Sequence, residues 1–364
     1  MKMDIYTKNS VSTLAVFSLL LGAAGFIYIS TLSPFCPKTF FSVQINPTNS
    51  SPVTGMVKNE LEEALKNAST EEKTVIITVI NKAYVESHNG EYPSMFDLFL
   101  ESFWEGESTR PLLDHLLVVT VDQTAYERCK FRRLNCYRLV TGDVDFAGEK
   151  MYMSQEFIKM MWTRTKFLMD VLKHGYNFIF TDTDVMWLRN PFLMLNKSNK
   201  LDLQMSTDLF NGDPFSNSNS INTGFYYVRS NAKTISLFEI WYLMRRNSKG
   251  MKEQDVLAKL IREGVTKELG LRIKFLDTLH FGGFCSNNKH VKLVVTVHAN
   301  CCRSIEAKVA DLKNVLMDWK RFKKGHVAAG HEERNNTSTI KNSFKWSKPI
   351  SCVKSWHVLN STLR

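Results

Sequence analysis

The sequence lacks a glycine-rich phosphate loop: the β-branched run ending in Thr78-Val79-Ile80-Asn81-Lys82 contains no glycine. That omission argues against a cytosolic sugar nucleotidyltransferase, which carries such a loop near its first strand. No C-x-x-C spacing occurs among the seven cysteines, which argues against a zinc site. No short-period repeat or single-residue tract is present, so a repeat array is excluded. Charge is missing altogether from Asn9 to Pro37. What is present is a chain of 364 residues, 44% hydrophobic and 23% charged. That is enough for a sizeable buried core and unlike a wholly disordered chain.

Within the uncharged gap, residues 11–32 are dominated by Val, Leu, Ala, Phe and Ile. As a helix, about 22 residues span about 33 Å, enough for the hydrocarbon core of a bilayer. The preceding residues carry Lys2 and Lys8 against Asp4, which favours a cytosolic N-terminus. A cleaved signal peptide is the alternative, with Gly22-Ala23-Ala24-Gly25 as small residues for cleavage. The apolar run, however, continues past them to Leu32. The expectation is a cytosolic tail over 1–10, a signal anchor over 11–32 and a lumenal or extracellular remainder. That compartment excludes nucleic acid as a partner. Sequons at Asn49, Asn67, Asn196, Asn335, Asn336 and Asn360 agree with it. So do the six cysteines beyond Cys36, an even set suited to disulfides. Cys129 with Cys136 is the favoured pair, and adjacent Cys301 and Cys302 each need a different partner.

Residues 33–69, rich in Ser, Thr, Pro and Asn in their first half, read as a stem with a short helix around 57–66. A globular domain is expected over 70–325. Strands are predicted at 74–80, 115–121, 177–181 and 292–297, and helices at 153–174, 232–246, 253–262 and 305–322. Their alternation implies an α/β fold with a largely parallel central sheet. Methionine and aromatic positions on the helices, Phe157 and Met161 among them, read as core. Residues 320–354 hold nine Lys or Arg against Glu332 and Glu333, nine minus two giving net +7. This reads as a solvated basic tail over 326–364, or as a patch for acidic polysaccharide or an anionic membrane surface.

Ligands in such folds bind beyond the carboxyl ends of strands. At the end of the 177–181 strand stand Asp182-Thr183-Asp184, followed by the unbroken apolar Val185-Met186-Trp187-Leu188. Two carboxylates one residue apart on such a turn suit a Mg²⁺ or Mn²⁺ shared with phosphate oxygens. A solvated loop would not be embedded between apolar runs. His298, at the end of another predicted strand, is a candidate third ligand, with a satisfied polar residue as the ordinary alternative. Arg164 and Lys166 on the long helix are read either as phosphate contacts or as surface charge. Thr78 and Asn81 are read either as nucleotide contacts or as strand caps.

Four ordered blocks then carry a resemblance. Residues 180–192, around Asp182-Thr183-Asp184, are similar to the signature of the plant nucleotide-diphospho-sugar transferases of glycosyltransferase family 77. Residues 221–229, Glu253-Gln254-Asp255 and residues 297–302 match in the same order. The resemblance covers roughly 70–325. It implies a GT-A glycosyltransferase fold, Rossmann-like, behind a single N-terminal transmembrane helix. It also implies Golgi residence with a lumenal catalytic domain, and transfer from a UDP-sugar with retention of configuration to a polysaccharide or glycoprotein acceptor. By the same resemblance Asp182 and Asp184 bind metal and diphosphate, and His298 is a further metal ligand. Asn222, Thr223 and Gly224 form the floor under the sugar, and Gln254 and Asp255 lie beneath the anomeric carbon. A non-catalytic partner retaining the fold is the competing class. Loss of a motif carboxylate would favour it, and Asp182, Asp184 and His298 are all present.

Overall fold

Short β-branched segments alternate with amphipathic helices from residue 53 onward, and in the computed structural model they build one layered α/β unit. The structure describes residues 53–87, 93–141, 146–195, 200–286, 290–332 and 344–362. Side chains are described from 60 onward, except 326–332 and 357–362. The expected anchor, the first part of the stem and Asn49, Asn196, Asn335 and Asn336 lie outside the described residues. Among the described residues no helix is long and apolar enough to cross a membrane.

The strands are β1 Thr74–Ile80, β2 Leu116–Thr120, β3 Asn135–Arg138, β4 Asn177–Thr181, β5 Val185–Trp187, β6 Leu203–Leu209, β7 Ser220–Val228, β8 Ile273–Phe275, β9 Phe281–Gly283 and β10 Thr296–His298. The helices are α1 Val53–Ala68, α2 Lys82–Val85, α3 Met95–Glu105, α4 Gln123–Phe131, α5 Gln155–Lys173, α6 Ala232–Met244, α7 Glu253–Arg262, α8 Val265–Glu268, α9 Ile305–Glu332 and α10 Ile350–Thr362. Seven strands form the main sheet in the order β3-β2-β1-β4-β7-β6-β8. The pairings are parallel except β4 with β7 and β7 with β6, so β7 alone runs against the rest. The sheet is therefore mixed but largely parallel.

Both faces are covered, which is why the strands are apolar on alternate and intervening positions alike. Ile76, Val118 and Ile179 pack on one side with α3 and β5, while Val75, Leu117 and Phe178 pack on the other with α5 and α6. After β1 the chain moves outward to β2 and β3. Helix α5 then returns it to β4 on the opposite side of β1. The carboxyl ends of β1 and β4 thus flank the switch point of the sheet, where a crevice opens.

A second, three-stranded sheet of order β5-β10-β9 lies beside that crevice. β5 and β10 are antiparallel, with Val185 opposite His298 and Trp187 opposite Thr296. Trp187 is fully buried and sits in a run of rings, 4.7 Å from Phe103 and 5.6 Å from Phe225 between centroids. The predicted 292–297 strand is shortened to β10. The carbonyls of Val294 and Val295 instead accept from Arg189 Nη1 and Leu188 N.

Cys129 pairs with Cys136, as expected, and the adjacent cysteines diverge to Cys285–Cys301 and Cys302–Cys352. The expected break at 325/326 falls inside α9, which runs on to Glu332. Beyond it, α10 packs back on the domain and is tied there by Cys352. Sequon residue Asn360 lies on that helix, and Asn67 is exposed near the end of α1.

Candidate active site

The turn leaving β4 is fixed on both sides. Asp182 N donates to Gly224 O at 2.7 Å, continuing the β4–β7 pairing by one step, while Ala299 N donates to Asp184 O. β5, buried throughout, anchors the chain as it leaves the turn. These constraints aim both carboxylates into the crevice and bring β10 across, so that His298 arrives beside them. One ligand atom from each of Asp182, Asp184 and His298 lies within 4.8 Å of the other two. His298 Nε2 is 3.2 Å from Asp184 Oδ1 and 4.0 Å from Asp182 Oδ2. Two carboxylates and an imidazole suit a hard or borderline divalent cation such as Mn²⁺.

Gly224 makes this gathering possible. A Cβ on it would sit 2.3 Å from His298 Cε1 and 2.8 Å from Asp182 Oδ2. Only a residue without a side chain lets β7 pass so close beneath the cluster.

Two basic residues already stand against the carboxylates. Lys308 Nζ, on the first turn of α9, is 2.7 Å from Asp184 Oδ2. Arg164 Nη1, from α5, is 2.9 Å from Asp182 Oδ1, and its Nη2 is 2.6 Å from Glu253. Burial alone would push the Asp184 carboxyl up, but Lys308 and His298 outweigh it and hold it far below the carboxylate range. Asp182 goes the other way: burial, joined by repulsion from Asp184, raises it against Arg164. Its side chain is still 32% exposed, so that burial is partial. Burial would lower His298, and the carboxylate of Asp184 more than reverses this.

The cleft around the cluster has a volume of about 320 Å³, at the small end for ligand sites. Asn222 and Thr223 line its floor on β7. Asn222 Nδ2 donates to Asp208, which also accepts from Asn300. Thr223 donates from both N and Oγ1 to Gln254 Oε1, fixing that amide at the cleft. Asp255, expected beside Gln254, is not itself among the lining residues. Successive helical residues point about 100° apart. α7 brings Glu253 and Gln254 to the lining, and Asp255 follows on the next position, beside the lining residue Lys252. Burial raises its carboxyl there.

Thr78 also lies outside the lining, fully buried, with its hydroxyl 3.2 Å from that of Thr183. It braces the middle of the carboxylate turn. Asn81 lines a smaller adjoining pocket with Tyr84 and Glu149, and donates to the carbonyls of Phe146 and Gly148. Its Oδ1 is buried without a partner among the described residues. Burial pushes the Tyr84 phenol up to about 12. Lys166, by contrast, is a surface residue paired with Asp170.

The sequence reading missed Lys308, Glu253 and the lining role of Phe157 and Met161. A signal existed for two of the buried charges. Lys308 falls on the apolar stripe of Ile305 and Leu312, and Arg164 on that of Met161, Leu168 and Val171. A charge on a core stripe is either paired or functional.

The profile of the nucleotide-diphospho-sugar transferases matches residues 111–312. The chain is 52% identical over 351 residues to the Arabidopsis thaliana protein At1g28695, covering 96% of each. It is 40% identical over 304 residues to At4g15970 of the same plant, covering 83% of this chain and 76% of that one. More distantly, it is 23% identical over 223 residues to beta-arabinofuranosyltransferase RAY1 of Arabidopsis thaliana, covering 60% of this chain and 35% of that one.

Proposed function

The chain belongs to the nucleotide-diphospho-sugar transferase family, and on that premise we propose that it is a metal-dependent, retaining glycosyltransferase of GT-A type. It moves a pentose or galactose from a UDP-sugar to a cell-wall glycan or glycoprotein. The same reading places it in the Golgi membrane as a single-pass type II protein. The observation that carries the proposal is the gathering of Asp182, Asp184 and His298 above Gly224 at the switch point of the sheet.

A divalent cation held by those three residues would neutralise charge on the departing diphosphate. The chain's own groups do the rest. Lys308 brings a second positive charge to the same place, its ammonium already resting on Asp184. Arg164, locked between Asp182 and Glu253, sets the position of the turn and of Thr223, whose hydroxyl also reaches Glu253. Gln254, oriented by Thr223, presents the polar group on the floor beneath the sugar. Asn81 Oδ1, without a partner among the described residues, and Tyr84 would mark the nucleoside end. An unmet buried acceptor costs about 1–3 kcal/mol, which a ligand hydroxyl or amide would recover. The leaving diphosphate itself can take the acceptor's proton, so no separate base or covalent nucleophile is required.

The test is UDP release by the full chain in detergent, offered a panel of UDP-sugars with Mn²⁺, with chelator and Asp184→Asn as controls. Release from one donor that disappears in both controls establishes the activity and names the sugar. Undiminished release by Asp184→Asn would remove the ligand assignment. Failure of UDP to bind with Mn²⁺ would favour a non-catalytic scaffold.

A further inference from the structure

The segment that leaves His298 turns at once into three adjacent residues with unusual duties. Cys301 has a left-handed backbone, φ 53°, and is bonded to Cys285; Cys302 is bonded to Cys352 of α10; Arg303 comes next. The disulfide brings α10 to the edge of the cleft. Asp311 holds the start of that helix by accepting from Ser351 N and, at 2.7 Å, from Cys352 N. One turn on, Trp356 lines the cleft itself.

Trp356 is held from several sides yet left open. Its Nε1 donates to Cys301 O at 2.6 Å, and the Arg303 guanidinium lies 3.7 Å from the ring centroid. The residue is nonetheless 38% exposed. Its polar N–H is spent inside the protein, so what it offers the cleft is apolar ring. Tyr152 is also exposed and lines the same cleft, with the Arg303 guanidinium 5.9 Å from its ring centroid as well. Aromatic surface lining a cleft offers a ligand an apolar contact of defined geometry. Fixed rings with two side-chain torsions supply such contact at little entropic cost.

We propose that α10 forms the acceptor side of the cleft, with the Trp356 indole as the platform on which the acceptor's sugar ring stacks. The proposal rests on the transferase reading above. One face of a sugar ring presents C–H bonds, which suit the negative face of an aromatic ring. On that reading the diphosphate lies beside Asp184 and Lys308, and the nucleoside extends toward Asn81 and Tyr84. Trp356 lines the larger cleft and is absent from that pocket. It is linked to His298 through a segment pinned by two disulfides.

The experiment uses the full chain loaded with UDP and Mg²⁺. Methyl glycosides of L-fucose, L-arabinose and D-galactose serve as probes, followed by saturation-transfer NMR. Ring protons of at least one glycoside should receive saturation. Trp356→Ala should weaken that glycoside about tenfold while UDP affinity stays within about twofold. Trp356→Phe should restore most of the contact, and retained UDP binding certifies the fold of both variants. A glycoside that binds Trp356→Ala as well as wild type overturns the proposal. So does UDP-loaded wild type that contacts no glycoside. A tenfold fall of UDP affinity in Trp356→Ala would make the indole a nucleobase platform and overturn it equally. Wild type that binds no UDP sinks the transferase reading itself, and this proposal with it.

Discussion

Gly224 sets how closely the ligating side chains gather, because β7 passes directly under them. Gly224→Ala should leave the sheet intact, since the groups in its way are side-chain tips that can swing aside. His298 and Asp182 would have to move, however, and Mn²⁺ affinity should fall about 10–100-fold, the usual penalty for disturbing ligand orientation. Calorimetric titration with Mn²⁺ checks this. Asp184→Asn should lower turnover about a thousandfold, corresponding to several kcal/mol of lost charge stabilisation. The domain should stay folded, because the stranded Lys308 keeps 21% of its side chain in solvent. Circular dichroism beside the activity assay separates the two effects. The titrations carry opposite signs. Asp184 is depressed when folded, so its contribution to stability is complete above the ordinary aspartate pKa of 3.8 and fades as pH falls toward its depressed value. His298 is raised, so its contribution is complete below 6.5 and is lost as pH climbs through its folded value. With chelator present, the melting-temperature advantage of wild type over His298→Ala should therefore shrink from pH 6 to pH 8.

The stretch from β4 through β5 works as one element: a strand, a carboxylate turn, and an anchor. Trp187 is the anchor's largest member, stacked on Phe103 and donating Nε1 to Thr181. Trp187→Ala should cost about 3–5 kcal/mol in guanidinium unfolding, with metal affinity falling as the turn loosens. A much smaller loss would mean that the apolar flank is not what holds the turn. The sequence displayed this element well, because its burial is written as an unbroken apolar run. β7 was visible only as a motif. Its Asn222-Thr223-Gly224 puts buried polar groups and a glycine where a strand interior calls for packing residues. Local propensity and site chemistry conflict there, and the site prevails. The short β8 and β9 depend on partners distant in sequence, so no local pattern announces them, and β10 shows only as the end of the 292–297 apolar run.

At the scale of the whole molecule, two ends of the chain bear on one function. The expected anchor predicts that the full chain stays in the membrane fraction after carbonate washing and is protected from protease in intact vesicles. Extraction by carbonate would favour the cleaved signal peptide. At the other end Lys and Arg dominate residues 320–354, which presents a basic tail, because net charge says nothing about packing. Tertiary structure instead seats α10 on the cleft. By itself the sequence determined the alternation of strands and helices, the carboxylate turn with its apolar flanks, and the family. Those arise from periodicity and from residues adjacent in the chain. Tertiary structure alone decided that His298 meets Asp184, that Lys308 and Arg164 turn inward, and that Trp356 reaches the cleft. Each of these depends on side-chain direction within an element or on contacts across 50 or more residues, which strand register, helix phase and disulfide pairing fix only once the chain has folded.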